Sequence, residues 1–460
     1  MTSCTCIDSC AVLGQGAVAH ATEGAAVVSH RRNPTVRGLL AAGLATAVLT
    51  SCGLSDSAGG GPTTITFWSW TSGSEQLADG FNASQDDIHV VFEQIPAGTS
   101  GGYSKMYNAV RAGKSPDVVN VEYPQVPAFV AHEVIQPLDE YGVEDLRGQY
   151  PEWAWNQVAL GGEIHAVPIN MAPQILLYRA DIFEERGYEP PATWPEFRDL
   201  AERVRADDED AVLATVSNTD ASLFAGFAWQ AGATWFDTSS GVWQVDSTDE
   251  ASMSMARYWD EIAADDLVNM EPVFAEKHIA DLQQGRSLAM IAAPWMLGNL
   301  SRFVPDLAGS WGAAPIPTWG DTAAGNYGGS TFALPMGAEH PEEAMEFARW
   351  VATSPDAVAA AAPVSAAMPA NSTLFDSWRT ELEAANPYVQ GMGLPEVALA
   401  AAESVPPSWE WGPDMTDGFA RLMDEMSTSV GEPGGIERAL RRWQDGTVEQ
   451  LRLRGFDVNT

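Results

Sequence analysis

Gly161-Gly162-Glu163-Ile164-His165-Ala166-Val167-Pro168-Ile169-Asn170, then Leu176-Leu177-Tyr178-Arg179-Ala180-Asp181-Ile182-Phe183, then Pro190-Pro191-Ala192-Thr193-Trp194-Pro195-Glu196-Phe197, decide the fold of this 460-residue chain. A Gly-Gly turn leads through a short apolar strand to a crossing punctuated by proline. A second apolar strand follows, then a short helix. Thr193 is placed to cap a further helix, because Pro195 and Glu196 in its first turn suit the unpaired N–H groups and positive dipole end found there.

Upstream, Ile65-Thr66-Phe67-Trp68 reads as a strand, Glu75 to Asn82 as a helix, and Ile88 to Phe92 as a strand. Tyr103 to Ala112 has helical spacing, and Asp117-Val118-Val119-Asn120-Val121 is a short, nearly apolar strand. Strands alternating with helices predict a parallel sheet with helices on both faces. Downstream, Asp281 to Met290 is an amphipathic helix stopped at Gly285 and followed by a buried strand. Pro341 to Trp350 is a further helix. No internal repeat of fixed period occurs.

The opening stretch is similar to a G-(K)-x-Y-x-x-P strand, a L-x-Y-N-K-D-L-F strand and helix, and P-P-x-T-W-x-E-F. That order resembles extracellular solute-binding protein family 1, the maltose-binding-protein-like receptors of carbohydrate ABC importers. Ser115-Pro116-Asp117-Val118 followed by Phe129 to Asp139, Phe274 to Trp295, Asn326-Tyr327-Gly328-Gly329-Ser330 and the Pro341 helix extend the resemblance over residues 63 to 355. The chain departs from the pattern at Ile164-His165, Arg179-Ala180, Glu133 and Ala293-Pro294.

The resemblance implies an α/β, two-lobed periplasmic-binding-protein-like fold (class II), each lobe a mainly parallel sheet flanked by helices, with a hinge between the lobes. One lobe is expected at 65–168 plus 326–370 and the other at 169–325 plus 371–460. Crossings are expected near Pro168 to Pro173, Pro315 to Ser330 and Ala367 to Asn371. It also implies a monomer that hands its ligand to membrane permease subunits, with a separate ATPase acting indirectly.

The first fifty residues read as export machinery. Arg31, Arg32 and Arg37 form a basic region, and Gly38 to Val48 is an apolar run too short to span a bilayer. Leu49-Thr50-Ser51-Cys52 resembles the bacterial lipobox, which implies removal of 1–51 and acylation of Cys52. An acylated cysteine on a tether (52–64) would anchor the protein to the outer face of the cell membrane. The Arg31-Arg32 pair is a weak hint of twin-arginine export, because Asn33-Pro34 follows where apolar residues are preferred. Residues 1 to about 28, with Cys4, Cys6 and Cys10, precede a complete leader and are expected to be a start codon placed too early or a discarded extension. The mature chain then keeps Cys52 alone, with no disulfide framework and no thiol nucleophile.

Charge narrows the partners. The formal net charge is −38, from 62 acidic against 24 basic residues. A chain this acidic repels nucleic acid and anionic lipid. Neither metal nor cofactor is expected: the seven histidines are scattered, Asp207-Asp208-Glu209-Asp210 reads as a solvated turn, and no G-x-S-x-G, H-E-x-x-H or Walker A sequence occurs. Carboxylate pairs at glycosidase spacing arise by chance among so many acids, so they do not by themselves indicate an enzyme.

A sugar offers hydroxyls at its edge and C–H groups on its face, so its site needs aromatic planes together with carboxylates and amides. In open α/β sheets such sites lie beyond the carboxyl ends of strands. The candidates are Trp68 and Trp70, Glu122 and Tyr123, Asn170, Trp295, Gly329 and Ser330, and Trp409 and Trp411 in the Pro406–Pro413 loop. Trp229 and Trp235 are further options for the cleft wall, whereas Trp259, Trp350 and Trp443 fall on helical patterns and read as core. The ligand expected is a carbohydrate, an oligosaccharide in particular. A polyol phosphate is the alternative; it needs an arginine in the cleft, with Arg286 and Arg302 as candidates. An extracellular glycoside-acting enzyme is a more distant one.

Overall fold

The computed structural model describes residues 61–320, 323–429 and 432–460. The expected leader, Cys52 and the expected tether as far as residue 60 lie outside the described residues. The first strand begins at Thr63, inside what the sequence assigned to the tether.

In chain order the principal strands are β1 (Thr63–Ser69), β2 (Ile88–Gln94), β3 (Val118–Glu122), β4 (Val167–Met171), β5 (Ile175–Arg179), β6 (Val212–Val216), β7 (Asn269–Met270), β8 (Ser287–Ala292), β9 (Trp311–Pro315), β10 (Ser330–Ala333) and β11 (Met368–Pro369). They form a six-stranded sheet in the order β11-β4-β10-β3-β1-β2 and a five-stranded sheet in the order β7-β6-β8-β5-β9. Helices cover both sheets, which gives the α/β two-lobed architecture.

Each sheet is mixed. β1, β2, β3 and β4 run one way, while β10 and β11 pair antiparallel. In the second sheet β5 alone opposes β6, β7, β8 and β9. The cause is connectivity. A strand reached through a helical crossover ends at the cleft, whereas β5 and β10 arrive from the other lobe and start there.

Local chemistry explains the elements the sequence predicted. Gly161 and Gly162 have φ of 65° and 91°, conformations that suit the two-residue hairpin turn joining Ala159–Leu160 to Glu163–Ile164. Thr193 caps the helix Trp194–Asp207, its hydroxyl accepting from the Glu196 N–H at 3.3 Å. The buried Asp117 carboxylate accepts from Thr66 N (2.8 Å) and Oγ1 (3.0 Å) on β1, and from Glu339 N (3.2 Å) and His340 N (3.0 Å). It thereby fixes the entry to β3 against the start of the helix Pro341–Thr353. Under that helix Phe67 meets Phe332 and Phe347, with ring centroids 4.7 and 5.2 Å away.

The lobes are joined by paired backbone. Gln174 N–H donates to Gly325 O at 2.8 Å and Tyr327 N–H to Ala172 O at 2.7 Å, while Asn326 Oδ1 accepts from Ala172 N at 3.0 Å. The third passage comes later than the Ala367–Asn371 expected. Asn386 still donates to Ala362 O, and Tyr388, two residues on, donates to Val304 O beyond the other sheet. The helix Phe375–Ala385 packs on β11, so the region just after residue 371 stays with the six-stranded sheet.

Gly325 sits against the helix Ala221–Gln230, where an added Cβ would fall 1.9 Å from Gly226 O. That neighbour is backbone and cannot swing away. Gly325→Ala should therefore displace the crossing and cost about 2 kcal/mol or more. Urea unfolding of the variant is the check; a midpoint equal to that of the parent would mean that the contact is not a constraint.

Candidate functional site

A cleft of ≈ 480 Å³ opens between the lobes. Its wall on the six-stranded side comes from just past strand ends: Trp70 after β1, Glu122 at the end of β3, and Asn170 on β4 beside Gly329 and Ser330 at the start of β10. The opposite wall carries Asp220 and Ser222 at the start of the helix Ala221–Gln230, which follows β6, and Trp295 with Asn299 after β8. Tyr327, from the paired crossing, forms part of the floor, and Phe419 and Met423 close one side from the helix Met415–Ser429.

The two walls repeat one motif. On the first, Trp70 meets the buried Tyr103 edge-on (centroids 5.6 Å apart), and Tyr103 OH donates to Glu122 Oε2 at 2.5 Å. On the second, Trp295 packs against the buried Tyr327 (5.4 Å), and Tyr327 OH donates to Asp220 Oδ2 at 2.7 Å. Trp295 Nε1 donates to Tyr327 O at 2.9 Å, which fixes the indole plane. Asp220 Oδ1 caps its helix, accepting from Ser222 N (3.1 Å) and Ser222 Oγ (2.6 Å).

Charge inside the cleft has one sign: among the described residues no Lys, Arg or His lines it. Burial pushes the Glu122 carboxyl up to about 6; the Tyr103 hydrogen bond opposes this, and the negative charge of Asp220 adds to it. Burial, then Asp220, raises the Tyr327 hydroxyl well above its ordinary value, and the field of Glu122 adds to this too. The two carboxylates therefore act on the same space.

Asn170 is largely committed to structure, with Nδ2 donating to Ser330 Oγ (2.8 Å) and Oδ1 accepting from Ser330 N (3.0 Å). Gly329 is required by space and conformation. Its φ is 86°, and a Cβ there would lie 2.9 Å from Tyr123 Cε2.

Six of the residues singled out from the sequence thus meet in one cavity: Trp70, Glu122, Asn170, Trp295, Gly329 and Ser330. Four do not, which corrects those expectations. Trp68 lies under Lys105, whose Nζ is 4.0 Å from the ring centroid, while Phe67 and Ser69 turn to the core. Tyr123 is fully buried behind Gly329. Trp409 and Trp411 are also buried: Trp409 stacks on Trp229 at 5.3 Å and 9°, and Trp411 stands edge-on to Phe419. Trp229 and Trp235 belong to that same buried aromatic group. Burying an indole of roughly 200 Å² is worth about 5 kcal/mol, more than one stacking contact with a ligand offers. Arg286 pairs with Asp281, Arg302 lies over Phe303, and neither lines the cleft.

Asp220, Tyr327, Ser222, Asn299 and Phe419 were missed. The strand-end rule reaches Asp220 once β6 is recognised, and Tyr327 lies two residues before Gly329, which was already chosen.

The description "bacterial extracellular solute-binding protein" matches residues 68–358, more than half of the chain, and the chain belongs to that family. The arabinooligosaccharide-binding protein of Bacillus subtilis (strain 168) is 22% identical over 408 residues, which cover 84% of this chain and 91% of the relative. Among solved structures, the ABC-transporter-associated binding protein of B. animalis subsp. lactis Bl-04, in complex with β-1,6-galactobiose, superposes with a TM-score of 0.77 at 22% identity. The match covers 87% of this chain and all of that one. The galacto-N-biose-/lacto-N-biose I-binding protein of Bifidobacterium longum, in complex with lacto-N-biose, gives 0.76 at 20% identity, with 87% and 100% covered. At these identities the structural likeness establishes the fold.

The Glu122 pKa carries a sign for stability. Folding raises it from 4.5 to about 6, so the ionised carboxylate opposes folding above about pH 6, and the penalty fades as pH falls toward 4.5. Glu122→Gln should therefore stabilise the ligand-free protein by about 1–2 kcal/mol near pH 7.5 and by far less near pH 4.5. Thermal unfolding at the two pH values measures the difference. An equal effect at both would show that Glu122 ionisation is not the cause.

Proposed function

We propose that this chain is the substrate-capturing component of an ABC importer. It takes a carbohydrate, in particular an oligosaccharide, into the interlobe cleft and delivers it to membrane permease subunits. The observation that carries this reading is a cleft faced by a tryptophan from each lobe, with oxygen and amide groups between them. Indole planes cover the C–H faces of sugar rings and the polar groups take the hydroxyls. Family membership, and the oligosaccharides named for the relatives above, support the same class.

The paired crossings act as the hinge, and ligand held between the lobes shifts the population toward the closed form that docks on the permease. The alternative of a polyol phosphate is disfavoured, because among the described residues no cation lines the cleft to pair with a phosphate. Binding proceeds without turnover. Asp220, the carboxylate opposite Glu122, spends both oxygens on Tyr327 and Ser222 and is poorly placed to act as a base or nucleophile. Cleavage before Cys52 and its acylation would hold the protein, as a monomer, at the outer face of the membrane.

Thermal shift against mono-, di- and trisaccharides, polyol phosphates and peptides tests the ligand class. A saccharide at a hundred times its dissociation constant should stabilise the protein by about 2.7 kcal/mol and be recovered unchanged after long incubation. A response to phosphates or peptides alone would overturn the carbohydrate reading, and turnover would overturn the non-enzymatic one. Trp295→Ala should then weaken binding of the saccharide found by about 2 kcal/mol, roughly thirtyfold; unchanged affinity would remove Trp295 from the site. For the anchor, the full-length protein expressed in a bacterial host should partition into detergent and its Cys52→Ser variant into the aqueous phase. Identical partitioning would refute acylation at Cys52.

A further inference from the structure

We infer that the carbohydrate taken by this cleft carries a positive charge: an amino sugar, its ammonium seated between Glu122 and Asp220. This rests on the carbohydrate reading and narrows it. Glu122 and Asp220 come from opposite lobes, face one cavity, and among the described residues have no Lys, Arg or His beside them in its lining. The tyrosines that touch them donate hydrogen bonds but no charge. A neutral sugar would satisfy the oxygens as acceptors and leave two like charges enclosed together, which closure makes worse as water leaves. An ammonium on the sugar removes that repulsion and forms charge-assisted hydrogen bonds to both lobes at once, so it also rewards closure.

The cation is organic rather than metallic. Among the described residues no group of three or more His, Cys, Asp or Glu side chains is placed to hold a metal ion. Two monodentate carboxylates, each already holding a tyrosine, fall short of the six to eight oxygens a calcium ion takes. The indole faces of Trp70 and Trp295 add to the preference, since an ammonium near a tryptophan gains a cation–π attraction while the ring C–H groups pack as in any sugar.

The test is a calorimetric titration of the purified protein with sets of disaccharides and trisaccharides. Members of a set share linkage and differ at one ring position: amine, hydroxyl or acetamide. The pH is one at which the amine is protonated, and an alkyl diamine is included. The amine member of the best-bound set should bind at least tenfold more tightly than its hydroxyl and acetamide counterparts. That margin should shrink with added salt, and Glu122→Gln or Asp220→Asn should cut it to threefold or less. Asparagine still caps a helix, so the second variant guards against misfolding in the first.

Hydroxyl or acetamide members that bind as tightly as the amine would overturn the proposal and leave the carbohydrate reading intact. A preference for the amine that survives both substitutions would also overturn it. Binding of the diamine with no saccharide bound would overturn the carbohydrate reading itself.

Discussion

Two backbone hydrogen bonds, from Gln174 to Gly325 and from Tyr327 to Ala172, tie the outgoing crossing to the returning one. Much else is fixed by that pairing. Strands that emerge from it begin at the cleft, so β5 and β10 must oppose the strands delivered by helical crossovers. The pairing also demands residues that allow close approach, with Gly325 against Gly226 and Gly329 against Tyr123. Because Tyr327 belongs to the hinge and also holds Asp220, one wall of the binding site is attached directly to the element about which the lobes turn.

The cleft residues hold one another in place. Trp295 is oriented by a hydrogen bond to the Tyr327 carbonyl, and Asn170 by a reciprocal pair with Ser330. A hydrogen bond to a charged group is worth roughly 1.5–3 kcal/mol, so Tyr103 and Tyr327 offset part of the cost of keeping carboxylates away from water. They do not remove it, as the raised Glu122 pKa indicates. The site is organised and electrostatically strained, which leaves part of the binding energy for a ligand that relieves the strain.

How much of this was legible depended on whether the cause was local. The Gly161-Gly162 turn, the Thr193 cap and the apolar strands are written in neighbouring residues, and the structure has them where the sequence placed them. Residues just past strand ends could be picked out for the same reason, and Trp70, Glu122 and Trp295 share one cavity. The tryptophans that failed did so for long-range causes. Trp409 lies in a proline-rich loop as a binding aromatic would, yet its partner Trp229 lies 180 residues away in sequence, and only the fold brings the two together. Tyr123 sits beside Glu122, which lines the cleft, but turns behind Gly329. The later third crossing, between Asn386 and Tyr388, likewise depends on which lobe each neighbouring helix packs against.

The overall acidity of the chain and the acidity of its cleft act at different ranges. A net charge of −38 spread over the surface is screened beyond about 8–10 Å in physiological salt, so it serves solubility and weakly repels anions. The Glu122–Asp220 pair sits in a cavity walled by low-polarity groups such as Phe419 and Trp295, where screening is poorer. Discrimination therefore belongs to the pair and not to the surface. Because one carboxylate comes from each lobe, the repulsion between them also depends on how far the hinge has closed. A cation between them is worth most in the closed state, so the group that selects the ligand is also the group through which the ligand biases closure.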